Sequence, residues 1–258
     1  MGLAAGKAEL VRTADAAALA VATAKRIVVT ARAAIAANGR FTLVLSGGST
    51  PERLYRLLAQ PEWKSQFDWP HTWLFFGDER FVPDTDERSN YRLAAQALLI
   101  PAQIDPTHVL AIPTTAGTPA QCAAAYEKQL RAFFPHDQLN ARGFPQFDLV
   151  LLGLGDDGHT ASLFPGKATL DERFAWLTWS TPGVLPPPVD RITFTFPLIN
   201  SARNIMFLVA GAGKAAIVHD VLDNPPDLHK HPSSGVQPDD GKLVWMLDEA
   251  AAGLLAKR

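Results

Sequence analysis

Apolar residues in this chain fall into two alternating kinds of run. Short, nearly continuous blocks at Phe41–Leu45, Trp73–Phe76, Phe147–Leu152 and Asn204–Ala210 read as strands buried on both faces. His108–Ile112 and Leu243–Met246 read as further short strands. Between them the spacing becomes helical: about Asp15–Asn38, with Leu19, Ile27, Val28 and Ile35, stops at Asn38-Gly39. About Pro119–Phe133 places Cys122, Tyr126 and Leu130 on one face, and a further helix covers about Ala215–Leu222. Arg191–Phe196 alternates polar and apolar residues, which predicts a strand with one exposed face, and Pro197 opens a short helix through Ala202. Asp171–Ser180 followed by Pro182, Pro186, Pro187 and Pro188 reads as an irregular crossing, with Trp176 and Trp179 in core or rim. Pro135–Pro145 and Pro225–Pro238 read as loops, and Asp248 as the cap of a final helix. The first strand is expected at about residue 41, after a single long helix.

This alternation predicts an α/β fold: three α/β/α layers around a doubly wound, mostly parallel, Rossmann-like sheet. A single domain over residues 1–258 is expected, with at most a small subdomain. Four strands end in polar or glycine-rich sequence: Ser46–Thr50, Gly77–Arg80, Gly153–His159 and Gly211–Lys214. Parallel strands bring their carboxyl ends to one edge, where open α/β sheets bind ligands, so these stretches should meet in one crevice. There the amides and hydroxyls of Gly47, Gly48, Ser49 and Thr50 are expected to bind an anion beside Arg191 and Lys214. Ser49 or Thr50 is expected to cap the helix that follows, with capping-box spacing from Ser49 to Glu52. There is no Walker motif. Ser89 or Asn90 should cap another helix, and Asp84, Asp86, Glu87 and Arg88 read as solvated.

Gly153, Gly155 and Gly158 match G-x-G-x-x-G literally, but a dinucleotide site is excluded. Asp156 and Asp157 would repel a pyrophosphate, Pro165 follows too soon for a long helix, and no acidic strand end lies about 20 residues on. The glycines instead make a tight turn that carries carboxylates and His159.

Charge narrows the function classes. A net charge of −2 gives no basic footprint for nucleic acid and no polybasic membrane patch, so an anionic ligand must be held by local cations. With 47% hydrophobic residues the chain can build a large core, and the single Cys122 forms no intramolecular disulfide and reads as packing. No leader and no membrane-length apolar run is visible, so a soluble, cytoplasmic protein is expected, a monomer or weak homodimer. His229 and His231 lie close together but lack a third ligand nearby, so no metal and no cofactor are expected.

Ser46-Gly47-Gly48-Ser49-Thr50-Pro51, Gly77-Asp78-Glu79-Arg80 with Ser89-Asn90-Tyr91, Gly153 to Gly166, Arg191-Ile192-Thr193 and Gly211 to Lys214 together resemble the 6-phosphogluconolactonase family, nearly from end to end. The resemblance implies hydrolysis of 6-phospho-D-glucono-1,5-lactone to 6-phosphogluconate in the oxidative pentose phosphate pathway. It implies chemistry at His159, Arg80, Asp78 and Asp157, and substrate contacts from Gly47, Gly48, Ser49, Thr50, Asn90, Gly155, Gly158, Arg191 and Lys214. An activated ester needs neither metal nor covalent nucleophile: His159 can take a proton from water and Arg80 can stabilise the oxyanion. A carboxylate such as Asp78 remains a rival for activating the water. Two other readings remain open. Glucosamine-6-phosphate deaminases are similar in fold, but they carry a Glu just after their His, where this chain has Ala161-Ser162-Leu163-Phe164-Pro165. Sugar-phosphate sensor domains are similar too, and those are usually joined to a DNA-binding helix-turn-helix.

Overall fold

The structure is a computed structural model, and it describes residues 8–181 and 188–256. Residues 1–7 of the amino-terminal stretch read for a leader, and Pro182, Pro186 and Pro187 of the expected crossing, lie outside the described residues.

The chain alternates as expected. After β1 (Ala8–Thr13) come α1 (Ala16–Asn38), β2 (Phe41–Leu45), α2 (Ser49–Leu58), the short α3 (Pro61–Lys64), β3 (Thr72–Phe76) and β4 (Asp78–Arg80). Next are α4 (Asn90–Ala94), running through a π turn into α5 (Ile100–Ala102), then β5 (Val109–Leu110), α6 (Pro119–Phe133) and β6 (Leu149–Leu152). The chain continues with β7 (Leu177–Ser180), β8 (Arg191–Phe194), α7 (Phe196–Asn200), β9 (Asn204–Val209), α8 (Ala215–Asp223) and β10 (Lys242–Asp248).

Among the described residues one seven-stranded sheet runs β1-β10-β9-β6-β2-β3-β5, and every pairing in it is parallel. Helices flank it, giving the α/β fold expected from sequence. From β2 the chain winds outward to β3 and β5, and from β6 it winds the other way to β9 and β10. The direction therefore reverses between β2 and β6, which opens a crevice at their carboxyl ends.

The local reasons for these elements are simple. Asp15 caps α1 by accepting from the Ala17 and Ala18 amides, and Gly39 closes it at φ 74°, where a side chain would be strained. Thr118 and Gln121 form a capping box on α6. Val44, Leu74, Val150 and Phe207 are fully buried, and Phe207 stacks on Trp245 at 3.9 Å between ring centres. Asp148, buried at the start of β6, accepts from both the amide and hydroxyl of Thr42 and so pins β6 to β2. Burial pushes its carboxyl pKa up, while the Thr42 bonds and nearby Arg203 and Arg40 pull it back.

Several expectations need correction. The first strand is β1, pairing in parallel with β10, and not Phe41–Leu45. β1 is half exposed and carries Glu9 and Arg12, so it lacks an apolar run. The second sheet, β4-β8-β7, is antiparallel, so Asp78–Arg80 is a strand and Leu177–Ser180 is regular. β8 is its central strand and has no exposed face: Ile192, Thr193, Phe194 and Thr195 are all fully buried. Thr193 and Thr195 satisfy their hydroxyls on backbone, at the Phe194 and Ala175 carbonyls. Helix α2 starts after Gly48, with no side-chain cap from Ser49 or Thr50. Asp248 begins a series of turns instead of a helix, its carboxylate accepting from the Ala251 and Gly211 amides.

Candidate active site

The crevice between β2 and β6 is a cleft of ≈ 220 Å³. Its wall takes Ser46, Gly47 and Gly48 from the end of β2, and Asp78, Arg80 and Asn90 from β4 and the start of α4. The turn after β6 supplies Gly153 to Asp156, His159 and Ala161, and Lys214 reaches in from the end of β9. All four glycine-rich or charged strand ends meet here.

The turn after β6 holds His159 by a dense local network. Gly158 N–H donates to the Gly155 carbonyl and Gly155 N–H to the His159 carbonyl, closing a compact loop. Asp157 Oδ1 accepts from the His159 amide at 3.0 Å and lies 2.5 Å from Nδ1 of the same residue. That contact places the proton on Nδ1 and leaves Nε2 as a base. Burial pushes the Asp157 carboxyl up, but the hydrogen bond and charge of His159 more than offset it, so its pKa is lowered. Phe164 covers the imidazole, with ring centres 4.7 Å apart. Gly155 is required by proximity, since a Cβ there would stand 2.0 Å from His159 Nδ1. Gly158 is required by conformation, with φ 82°.

The opposite wall is built from β4. Alternation along this strand turns Asp78 and Arg80 to the cleft and Glu79 away from it. Asp78 is buried, accepts from Ser162 Oγ at 2.7 Å, and its carbonyl accepts from Asn90 Nδ2 at 2.9 Å. That bond fixes the Asn90 amide with Oδ1 packed on Gly47, where even a Cβ would be 1.9 Å away, and Oδ1 itself has no partner. Arg80 donates to the Arg88 carbonyl at 2.5 Å. Arg191 faces Arg80 across the β4–β8 pair but does not line the cleft, and its buried Nη1 has no partner. Burial lowers the Arg191 pKa, and Arg80 lowers it further against the pull of Asp78 and Glu79.

On the β2 side, the buried Tyr55 hydroxyl donates to the Ser46 carbonyl and accepts from its amide, anchoring the glycine loop. Lys214 Nζ donates to the Leu154 carbonyl at 2.7 Å and pairs with Asp156 at 2.5 Å.

Of the residues singled out in the sequence, His159, Arg80, Asp78, Gly47, Gly48, Asn90, Gly155 and Lys214 share this wall. Asp157 and Gly158 support it from the loop. Ser49 does not face it, and lines a groove between α1 and α2 with Glu52 and Arg53 instead. Thr50, like Arg191, is not on the wall. Ser46, Gly153, Leu154 and Asp156 belong to the stretches expected to meet here but carry no individual role in the sequence reading, and Ala161 lies outside those stretches. Ala161 has φ 46°, which sequence alone does not announce. The signal for Asp156 was its place beside Asp157, but its partner Lys214 is 58 positions away.

Outside the cleft, Cys122 is packed in the core as expected. His229 and His231 diverge: His229 is exposed near Asp171, while His231 packs beneath Gly158. Among the described residues no group of three His, Cys, Asp or Glu is arranged to hold a metal ion. Nor, among them, is any helix long and apolar enough to cross a membrane.

The chain is similar in sequence and in fold to known proteins. A 6-phosphogluconolactonase of Synechocystis sp. is 42% identical over 218 residues, covering 84% of this chain and 86% of the relative. Among solved structures, the 6-phosphogluconolactonase from Trypanosoma cruzi superposes with a TM-score of 0.87 at 30% identity, covering 100% of this chain and 99% of that one. The one from Trypanosoma brucei gives 0.85 at 31%, covering 97% and 99%. The family described as glucosamine-6-phosphate isomerases/6-phosphogluconolactonase matches residues 14–245, and the chain belongs to that family.

Proposed function

We propose that the protein hydrolyses 6-phospho-D-glucono-1,5-lactone to 6-phosphogluconate, with His159 as general base. The observation that carries the reading is the 2.5 Å contact between Asp157 and His159 Nδ1 on a cleft that also holds Arg80 and Lys214. Relatives named as 6-phosphogluconolactonases at 42% identity support the substrate.

In this reading Nε2 of His159 takes a proton from water as the oxygen bonds to the lactone carbonyl carbon. Negative charge then grows on the carbonyl oxygen beside the Arg80 guanidinium, which stabilises it. Collapse of the tetrahedral intermediate re-forms the carbonyl and breaks the bond to the ring oxygen. The imidazolium returns its proton to that leaving oxygen, so the base is regenerated. Asp157 keeps the ring in the required tautomer and favours the imidazolium while it exists. Asp78 has one oxygen occupied by the Ser162 hydroxyl, and it orients Asn90. The 6-phosphate is held by Lys214 and by the Gly47 and Gly48 loop at the start of α2.

Asp78, buried in the cleft, is also placed as a carbon-proton base would be in an aldose-phosphate isomerase or deaminase. One comparison separates these readings. Proton release from 6-phosphogluconolactone, above its spontaneous hydrolysis, and no ammonia from glucosamine 6-phosphate is the expected result. Ammonia release without lactone hydrolysis would overturn it.

A further inference from the structure

Glu79 lies between two cleft residues without touching the cleft, and its contacts are unusual for a carboxylate that is 3% exposed. Oε1 accepts from the amides of Arg80 and Asn90, both at 2.7 Å. Oε2 accepts from the Tyr91 amide at 2.7 Å and from the Ser89 hydroxyl at 3.1 Å. A buried carboxylate is costly unless its lone pairs are filled, and here every bond runs to Arg80 itself or to the segment Ser89–Tyr91. That segment adjoins the carbonyl of Arg88, which receives the Arg80 guanidinium at 2.5 Å. The Arg80 side chain is therefore held at both ends through one carboxylate: at its own amide, and through the segment that places its acceptor. Asn90 leaves the same segment to meet Asp78.

We propose that Glu79 is a positioning residue, whose carboxylate fixes the Arg80 guanidinium over the reacting carbonyl by locking Arg88–Tyr91 against β4. The proposal rests on the reading of Arg80 as the oxyanion holder. It requires a full carboxylate, because each oxygen faces two donors. In Glu79→Gln the amide nitrogen must face at least one backbone N–H whichever way it turns: those of Arg80 and Asn90 on one side, or that of Tyr91 on the other, where only the Ser89 hydroxyl can turn to accept. A purely structural carboxylate provides the contrast: Glu127 accepts from the Trp176 and Leu177 amides and pairs with Arg131, away from the cleft.

The test is a double-mutant cycle on kcat for the phosphorylated lactone, at a temperature where denaturant unfolding shows each variant to be fully folded. Glu79→Gln should lower kcat at least about tenfold with KM changed less than about threefold, because the loss is confined to the transition state. In an Arg80→Ala background the same substitution should cost less than about threefold, since its effect runs through Arg80. Glu127→Gln should lower the unfolding midpoint and leave kcat unchanged. Equal losses from Glu79→Gln with and without Arg80, or none with Arg80 present, would overturn the proposal while leaving the function intact. An Arg80→Ala enzyme of nearly wild-type kcat would instead remove the oxyanion assignment, and this proposal with it. If Glu79→Gln does not fold, Ser89→Ala takes its place. It keeps the carboxylate, removes one donor, and should cost at least about threefold in kcat only when Arg80 is present.

Discussion

A single methyl group at Gly155 should disable the site without replacing any polar residue. Built on the existing backbone, its carbon would lie 2.0 Å from His159 Nδ1, 2.1 Å from Cε1 and 2.7 Å from Cγ. Comfortable contact between such atoms is about 3.5 Å, so the imidazole must retreat by roughly 1.5 Å. Gly155 is not in the left-handed region, so alanine fits the backbone and the strain falls on the ring. The ring cannot move that far and keep its 2.5 Å contact with Asp157. Misplacing a catalytic group by about 1 Å costs on the order of 10²-fold, about 2.7 kcal/mol of barrier. Gly155→Ala should therefore lower kcat about 10²-fold and shift KM less than about threefold, measured by pH-stat against the spontaneous rate. Combined with His159→Ala it should add nothing, because both remove the same base. A Gly155→Ala enzyme within about threefold of wild-type kcat, or a double variant with additive losses, would refute the reasoning.

Two further outcomes follow from the same geometry. Lys214→Ala should raise KM for the phosphorylated lactone at least about tenfold, or 1.4 kcal/mol, and scarcely alter any rate on unphosphorylated gluconolactone. Equal losses on both substrates would place Lys214 elsewhere than on the phosphate. Asp157 has a lowered pKa in the folded chain, so its stabilising contribution is present above its unfolded value of about 4 and lost as pH falls below that. Asp157→Asn should accordingly flatten the fall in stability below about pH 4, as read from urea midpoints against pH. It should also lower kcat at neutral pH by releasing the His159 tautomer. An unchanged acid slope would show that the pair does not form.

Much of the site was legible because buried parallel strands leave continuous apolar runs. The glycines and charges that interrupt Phe41–Leu45, Trp73–Phe76, Phe147–Leu152 and Asn204–Ala210 then mark one edge of one sheet. What was hidden had weaker or misleading local signals. β1 is an edge strand, exposed at Glu9 and Arg12 and half-buried elsewhere, and its pairing is set by β10, more than 200 positions away. Asp78 and Glu79 form a strand although charged residues normally read as solvated, because Ser162, Ser89 and backbone amides satisfy them in the interior. β8 reads as half exposed since Thr193, and Thr195 just after it, look polar, yet both hydroxyls are spent on backbone carbonyls and the strand lies between β4 and β7. Ser49 has the spacing of a cap, but the helix begins one residue earlier than a cap there allows.

The central claim is that the imidazole of His159 activates water. Replacing it by asparagine, which can keep a hydrogen bond but cannot take a proton near neutral pH, tests this most directly. A positioned base is worth about 10²–10⁴-fold, so kcat of His159→Asn should fall by that amount. KM should change little. An enzyme that keeps more than about a third of wild-type kcat would contradict this role and assign the proton to a carboxylate such as Asp78.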